Sequence, residues 1–165
     1  MSQRRSLDFY KKLFTVLIMK TYTVKVGDNG NKYWYLNGKL HRESGPAVEY
    51  ADGSKYWYLN GKLRREDGPA VERADGSKEW YINGKRHRED GPAVEFADGY
   101  KEWYINDKLH REDGPAIEWA SGSKWWYLND EKLSEAQFNA RTKQKPSCEG
   151  KVVEIDGVKY KLTKS

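Results

Sequence analysis

Apolar and polar residues alternate along the chain in a pattern that returns every 23 residues. The best-preserved copy runs from Ala51 to Arg73 and reads ADGSKYWYLNGKLRREDGPAVER. Within it, the segments 56–59 and 62–65 flank the pair Asn60-Gly61, which is a strong short-range signal for a hairpin turn. The five equivalent turn asparagines are Asn37, Asn60, Asn83, Asn106 and Asn129. Each copy therefore predicts two or three short antiparallel strands joined by tight turns.

Stacking these copies predicts a mainly β fold, an elongated, twisted antiparallel sheet of hairpin repeats that is open and meander-like. Short N- and C-terminal helices and a C-terminal hairpin are expected to flank it. We assign residues 1–20 to an N-terminal helix or cap, 21–133 to the five-copy array, 134–142 to a capping helix, 143–150 to a linker and 151–165 to the hairpin. The N-terminal helix is expected to pack over the open end of the array, and attachment to a membrane surface is the alternative.

Period-two alternation divides the first strand of each copy into two faces. One face carries a tryptophan column and a Leu/Ile column, and the other face carries a tyrosine column. The tryptophans are Trp34, Trp57, Trp80, Trp103 and Trp126, and the tyrosines are Tyr35, Tyr58, Tyr81, Tyr104 and Tyr127. We expect the tryptophan and Leu/Ile columns to form the core. The alternative is that the tyrosine column stays open as a row of rigid rings for a partner.

The turns carry columns of charged and imidazole side chains. An Arg-Glu pair recurs at 42–43, 65–66, 88–89 and 111–112, which predicts a surface ion-pair ladder between copies. Turn aspartates such as Asp67 are expected to accept backbone N–H groups of their own turns. His41, His87 and His110 share one column with Arg64, so they lie along a line and are not expected to form a metal site.

No motif for catalysis appears in the sequence. An active site requires unlike groups that converge in one pocket, whereas this array presents the same groups repeatedly along a line. The single cysteine, Cys148, excludes a disulfide within the chain. We therefore expect a protein that is not an enzyme, with no catalytic residue, no metal and no cofactor.

Charge is distributed unevenly along the chain. The net charge of +5 divides into +5 for residues 1–27, −4 for residues 28–135 and +4 for residues 136–165. The acidic array repels phosphate groups, so any contact with nucleic acid has to come from the basic ends. Nucleic acid and membrane partners are accordingly disfavoured, and a protein with a basic surface is favoured.

Positions at which the copies differ indicate function better than positions that repeat. Aromatic substitutions accumulate in the fourth and fifth copies, and the fourth copy alone carries a net charge of −3. The predicted protein-binding residues are Tyr81, Tyr100, Glu102, Tyr104, Asp107, Trp119, Trp125 and Tyr127. Neutral drift between the copies is the alternative explanation.

The phrase Trp-Tyr-Leu-Asn-Gly-Lys-Leu, followed by Arg-Glu-Asp-Gly-Pro, resembles the MORN repeat class over residues 22–133. It is similar to variant MORN-like arrays of bacteriophage and large-virus proteins. The class usually carries His-Gly-x-Gly where this chain has the longer Arg-Glu-Asp-Gly-Pro turn. The resemblance implies an elongated antiparallel sheet that serves as a platform for protein contacts.

The leading functional hypothesis is a non-enzymatic protein-protein interaction module in the cytoplasm. The viral resemblance implies an inhibitor of a host defence protein, in the host cytoplasm. The alternatives are a structural component of a virion or larger assembly, and nucleic-acid binding through the basic termini. The sequence leaves open whether the chain forms a homo-oligomer.

Overall fold

The computed structural model describes residues 21–143, 152–156 and 158–161, and these residues form strands, turns and one short helix. The expected N-terminal helix at residues 1–20 and most of the expected linker lie outside them. The first strands are β1 (Tyr22–Val26), β2 (Lys32–Leu36), β3 (Lys39–Leu40), β4 (Val48–Glu49), β5 (Lys55–Tyr56), β6 (Tyr58–Leu59), β7 (Lys62–Leu63), β8 (Val71–Glu72), β9 (Lys78–Glu79) and β10 (Tyr81–Ile82). They are followed by β11 (Lys85–Arg86), β12 (Val94–Glu95), β13 (Lys101–Glu102), β14 (Tyr104–Ile105), β15 (Lys108–Leu109), β16 (Ile117–Glu118), β17 (Lys124–Leu128) and β18 (Glu131–Leu133). Helix α1 (Glu135–Lys143) comes next, and then the hairpin of β19 (Val152–Ile155) and β20 (Val158–Lys161).

A 12-stranded antiparallel sheet runs through all five copies, in the order β1-β2-β4-β5-β8-β9-β12-β13-β16-β17-β18 with β3 beside β2. Each inner copy gives this sheet one Lys-containing strand and one Val-Glu or Ile-Glu strand. The hairpins β6–β7, β10–β11 and β14–β15 branch from it as two-stranded units. The prediction of a mainly β, open antiparallel array of stacked hairpins is confirmed.

The branching hairpins turn on residues with positive φ, as the sequence predicts. Asn60 has φ 53° and Gly61 has φ 78°, which is the left-handed region that both central residues of a type I′ turn need. In the fourth copy Asp107 replaces the glycine at φ 66°, and its carboxylate accepts the backbone N–H of Arg86 at 2.8 Å. The N–H of Asp107 donates in turn to the Arg86 carbonyl, so this turn is tied to the preceding hairpin.

The core of the inner copies consists mainly of small and β-branched residues. The expectation of a tryptophan core is wrong, and in the Leu/Ile column only Leu36 is buried. The fully buried alanines are Ala47, Ala70, Ala93 and Ala116, and the columns beside them, Val48, Val71, Val94 and Ile117, are 2–5% exposed. The tryptophans are only half-buried, and Ile82 is 45% exposed. Tyr104 is instead buried against Val94 and Leu109, so the tyrosine face contributes to the core.

Each of the first four tryptophans is covered by an arginine of its own copy, an arrangement that we call the Arg-Trp clamp. The four pairs are Arg42 with Trp34, Arg65 with Trp57, Arg88 with Trp80 and Arg111 with Trp103, and the guanidinium carbon lies 4.0–4.1 Å from the ring centroid. Within each clamp, the arginine Nη1 donates to a proline carbonyl at 3.1–3.3 Å and to a glutamate Oε1 at 2.7–3.0 Å. Each of these indole rings is therefore covered by a guanidinium group, whereas the sequence predicts that apolar side chains cover it.

The clamp overturns the expected Arg-Glu surface ladder. Each turn arginine bonds the glutamate seven residues later, as in Arg65 with Glu72, whereas the adjacent Glu66 pairs with Arg64 at 2.5 Å. The turn aspartates also bond the clamp arginines, beyond the expected backbone hydrogen bond, and Asp67 accepts from the Nε of Arg65 at 2.9 Å. This hydrogen bond and the charge of Arg65 lower the pKa of Asp67.

Helix α1 covers the C-terminal end of the array. Ser134 and Gln137 form the reciprocal hydrogen bonds of a capping box, in which the Gln137 N–H donates to Ser134 Oγ and the Ser134 N–H donates to Gln137 Oε1. Phe138 and Leu133 are 4% and 5% exposed, and Arg141 pairs with Glu131. The helix therefore packs its phenylalanine against the last strand pair.

The glycine of each Gly-Pro turn leaves room for the clamped guanidinium, so replacing it should disturb the clamp. A Cβ at Gly114 would lie 2.9 Å from the Arg111 Cζ, although this glycine does not have a positive φ. Gly114→Ala should destabilise the protein by about 1–3 kcal/mol, the usual cost of overpacking. Gly45→Ala, where the same distance is 3.3 Å, should cost less. Urea unfolding of both variants checks this, and equal losses would contradict it.

Candidate functional site

Four aromatic side chains from the end of the third copy and from the fourth and fifth copies lie together on the tyrosine face of the main sheet. We call this group the aromatic strip, and its members are Phe96, Tyr100, Trp119 and Trp125. Phe96 and Trp119 directly follow β12 and β16, Tyr100 directly precedes β13, and Trp125 lies in β17. Because side chains alternate along a strand, these positions share the face of Val94 and Ile117.

Each ring of the strip contacts its neighbour in the strip. The centroid of Tyr100 lies 5.6 Å from that of Phe96 and 4.4 Å from that of Trp119, and the Trp119 and Trp125 centroids are 5.8 Å apart. These distances are in the range of favourable tilted and edge contacts. Phe96, Trp119 and Trp125 are nevertheless 41%, 42% and 39% exposed. The strip is thus an ordered apolar surface open to solvent.

A carboxylate lies within this surface. Glu102 is half-buried in β13, and Glu102 Oε1 accepts a hydrogen bond from the Tyr100 hydroxyl. Burial, followed by this hydrogen bond and the Glu102 charge, raises the pKa of Tyr100. Burial and the same charge raise the pKa of Tyr104 to about 12. Tyr100 and Tyr104 therefore keep their protons at neutral pH, and their hydroxyl groups lie beside the Glu102 carboxylate.

The structure places most of the predicted binding residues on this face, and five of them are connected to one another. Tyr100, Glu102, Trp119 and Trp125 form one continuous surface, and Tyr104 joins them through Glu102. Tyr104 itself is 7% exposed, so little of it is open to a partner.

The remaining predicted residues are held by other contacts. Tyr81 donates to Glu79 Oε2 at 2.6 Å, and Asp107 is fixed in its hairpin turn by Arg86. Arg86 also lies 3.8 Å from the Tyr104 ring centroid. Tyr127 is half-buried in β17.

Two members of the site are not among the predicted residues. Phe96 occupies the column of Trp119 one copy earlier, so the column pattern was sufficient to find it. Lys132 places its Nζ 3.8 Å from the Trp125 ring centroid. No sequence signal indicates Lys132, because the contact depends on the pairing of β17 with β18, which brings Tyr127 opposite Lys132.

The corresponding positions of the earlier copies hold different groups. In the first two copies Tyr50 lies 6.2 Å from Tyr33 and 5.4 Å from Tyr56 between ring centroids. At the end of the second copy the ring is replaced by Arg73, which forms an ion pair with Glu79 of the third copy. The face therefore changes from tyrosines to an ion pair and then to the aromatic strip, while the underlying backbone pairing stays the same.

The opposite face has a repeating groove between successive Gly-Pro turns. The groove between the second and third copies is lined by the two turns together with Trp80, Ile82 and His87. His87 accepts the Asn106 N–H through Nδ1 at 3.3 Å, and His41 accepts the Asn60 N–H at 3.0 Å, so these imidazoles link successive copies. Within the described residues, no group of three or more His, Cys, Asp and Glu side chains could hold a metal ion.

Comparisons with protein-family models and with curated proteins give no match to this chain. No helix in the described part of the chain is both long and apolar enough to cross a bilayer.

The contact between Tyr100 and Glu102 predicts a measurable titration change. Glu102→Gln should lower the pKa of Tyr100 towards the ordinary value of 10.0, because a phenolate would no longer form beside a carboxylate. The decrease should be partial, since burial is the larger cause. NMR titration of the chain with ¹³C-labelled tyrosine measures it. Glu89→Gln removes the same charge at an exposed turn and should leave the pKa of Tyr100 unchanged; an unchanged pKa in Glu102→Gln would show that the contact is absent.

Proposed function

We propose that this chain is a non-enzymatic protein-protein interaction module that binds its partner through the aromatic strip. The observation that carries the proposal is the exposure of Phe96, Trp119 and Trp125, each about two-fifths open, in one contiguous group. Single exposed apolar residues are ordinary on protein surfaces, but contiguous aromatic patches are typical of interfaces. Tryptophan and tyrosine are also the residues that most often dominate binding energy.

The partner is expected to present a basic surface. The fourth copy has a net charge of −3, and Glu102 lies inside the apolar surface that a partner would cover. Opposite charges across an interface raise the association rate and exclude wrong partners.

The sequence resemblance to MORN-like arrays of bacteriophage and large-virus proteins supports the same class of function. Under that resemblance we propose an inhibitor of a host defence protein as the more specific role. The regular array is consistent with a rigid platform, since each copy is joined to the next by hydrogen bonds such as that from Gly84 N–H to the Leu63 carbonyl.

Truncating the centre of the strip should weaken partner binding. Trp119→Ala should raise the Kd by at least about 30-fold, which corresponds to the roughly 2 kcal/mol that marks an interface hot spot. The partner is captured from host lysate with the full chain and identified by mass spectrometry, and the Kd is then measured with both purified proteins.

Tyr50→Ala is the matched control for Trp119→Ala. Tyr50 occupies the same column, is 38% exposed and also contacts neighbouring rings, but it belongs to the first copy. Its removal should leave the Kd unchanged. Equal losses in the two variants would place the contact elsewhere or along the whole face, and retention of nothing by the full chain would count against the function itself.

A further inference from the structure

The third copy shows how this sheet face accommodates a glutamate when a cation is within reach. Glu79 lies 23 residues before Glu102 and takes the equivalent position in the sheet, with Val94 opposite Glu79 and Ile117 opposite Glu102. Its Oε1 accepts from Arg73 Nη2, and its Oε2 accepts from the Tyr81 hydroxyl. Glu79 is only 9% exposed. A guanidinium and a phenol thus allow the face to bury this carboxylate.

Glu102 of the fourth copy retains the carboxylate of Glu79, but the residue that corresponds to Arg73 is not an arginine. Phe96 occupies that position, and the donors that reach Glu102 are the neutral hydroxyls of Tyr100 and Tyr104. Among the described residues, no lysine or arginine forms an ion pair with Glu102. Arg86 lies over the Tyr104 ring and bonds Asp107. Glu102 is therefore the member of this pair of equivalent positions whose cation is missing.

The surroundings of Glu102 suit a guanidinium group. Tyr100 donates to Glu102 and contacts the exposed ring of Trp119, so the carboxylate and an indole are within reach of one planar side chain. The chain itself places an arginine 4.0–4.1 Å from a tryptophan centroid in four copies. Arginine stacks on aromatic faces and bonds carboxylates through two N–H groups, and it loses less hydration than lysine does.

We propose that Glu102 and the aromatic strip form a receptor site for an arginine side chain of the partner protein, which bonds the Glu102 carboxylate beside the tyrosine hydroxyls, as Arg73 bonds Glu79 beside the Tyr81 hydroxyl. The inference rests on the proposed function and names the chemical group that the surface recognises. The carboxylate supplies the charge and the planar hydrogen bonds, and Phe96 and Trp119 supply the apolar walls.

The first test uses a small arginine peptide, so that it does not depend on knowing the partner. The full ¹⁵N-labelled chain is titrated with acetyl-Gly-Arg-Gly-amide, and the indole N–H resonances of Trp119 and Trp125 are followed. They should shift in a saturable way. The same peptide with citrulline keeps the shape of arginine without its charge. It should bind at least about tenfold more weakly, as expected for loss of a charge-assisted hydrogen bond. Equal binding of the two peptides would overturn the proposal.

Two variants test the role of the carboxylate. Glu102→Gln should weaken binding of the arginine peptide about tenfold, whereas Glu89→Gln, the control with the same charge change on an exposed turn, should not alter it. Phe96→Arg rebuilds the pair that Arg73 and Glu79 form, so it should raise the melting temperature and abolish the response of the indoles to the peptide. Retention of full peptide binding by either Glu102→Gln or Phe96→Arg would overturn the proposal.

Failure of this inference can be distinguished from failure of the proposed function. If Trp119→Ala abolishes binding of the identified partner while Glu102→Gln has no effect on it, the arginine site is wrong and the protein-binding role remains. If sedimentation shows that the chain forms a dimer which Phe96→Arg dissociates, the occupant is a second copy and the assignment to a partner protein is overturned. Loss of partner binding both in Glu102→Gln and on replacement of one partner arginine, with little further loss when the two changes are combined, supports the site.

Discussion

The regular array depends on an arginine whose guanidinium lies over the tryptophan ring of its own copy. In the fourth copy the Arg111 guanidinium is 4.0 Å from the Trp103 ring centroid, and its Nη1 bonds both the Pro115 carbonyl and Glu118. One side chain therefore joins the first strand, the Gly-Pro turn and the last strand of a copy. Because the turn glycine has no Cβ, the guanidinium can lie against the backbone there. This explains why the Arg-x-x-Gly-Pro spacing recurs in four copies.

The clamp leaves the other face of the sheet free to vary. On the tryptophan face, arginine, alanine and glycine must complement the indole in size and charge, and they recur in copy after copy. On the tyrosine face, the position after each Val-Glu or Ile-Glu strand changes from Tyr50 to Arg73, Phe96 and Trp119 without any change in strand pairing. A scaffold held together from one side can thus present different side chains on the other. The aromatic strip is a product of this asymmetry.

The strand and turn pattern could be predicted from the sequence because it depends on local chemistry. A type I′ turn requires a left-handed backbone at both central residues, which Asn60 and Gly61 adopt, and the regular spacing of such pairs predicts the hairpins. The buried face could not be predicted, since alternation separates Trp57 from Tyr58 without showing which side is covered. The tryptophan face is covered by Arg65, which contacts a tryptophan eight residues earlier and bonds a glutamate seven residues later. From the sequence alone, a ladder of adjacent Arg-Glu pairs is an equally simple interpretation.

The position of the aromatic strip could be predicted for a related reason, although the residues of the strip differ from the predicted binding residues. Departures from the repeat identify Tyr100, Trp119 and Trp125, and the structure places these three in contact. Tyr81 belongs to the tyrosine column and Asp107 to the acidic fourth copy, but these two residues are engaged by Glu79 and Arg86. Lys132 was missed because its position over Trp125 follows from strand pairing and not from the period.

Under the proposed arginine site, the energetics of covering Glu102 make the aromatic strip selective for a cationic partner. A half-buried carboxylate still keeps part of its hydration, whereas a partner that sealed the strip with apolar groups alone would bury an uncompensated charge. Such burial costs several kcal/mol, on the order of what a good aromatic contact contributes, so a neutral partner gains little by docking here. A partner that brings a guanidinium removes this cost and adds hydrogen bonds, as Arg73 does for Glu79. In the proposed site, the apolar area of Phe96 and Trp119 therefore contributes most to affinity when a cation accompanies it.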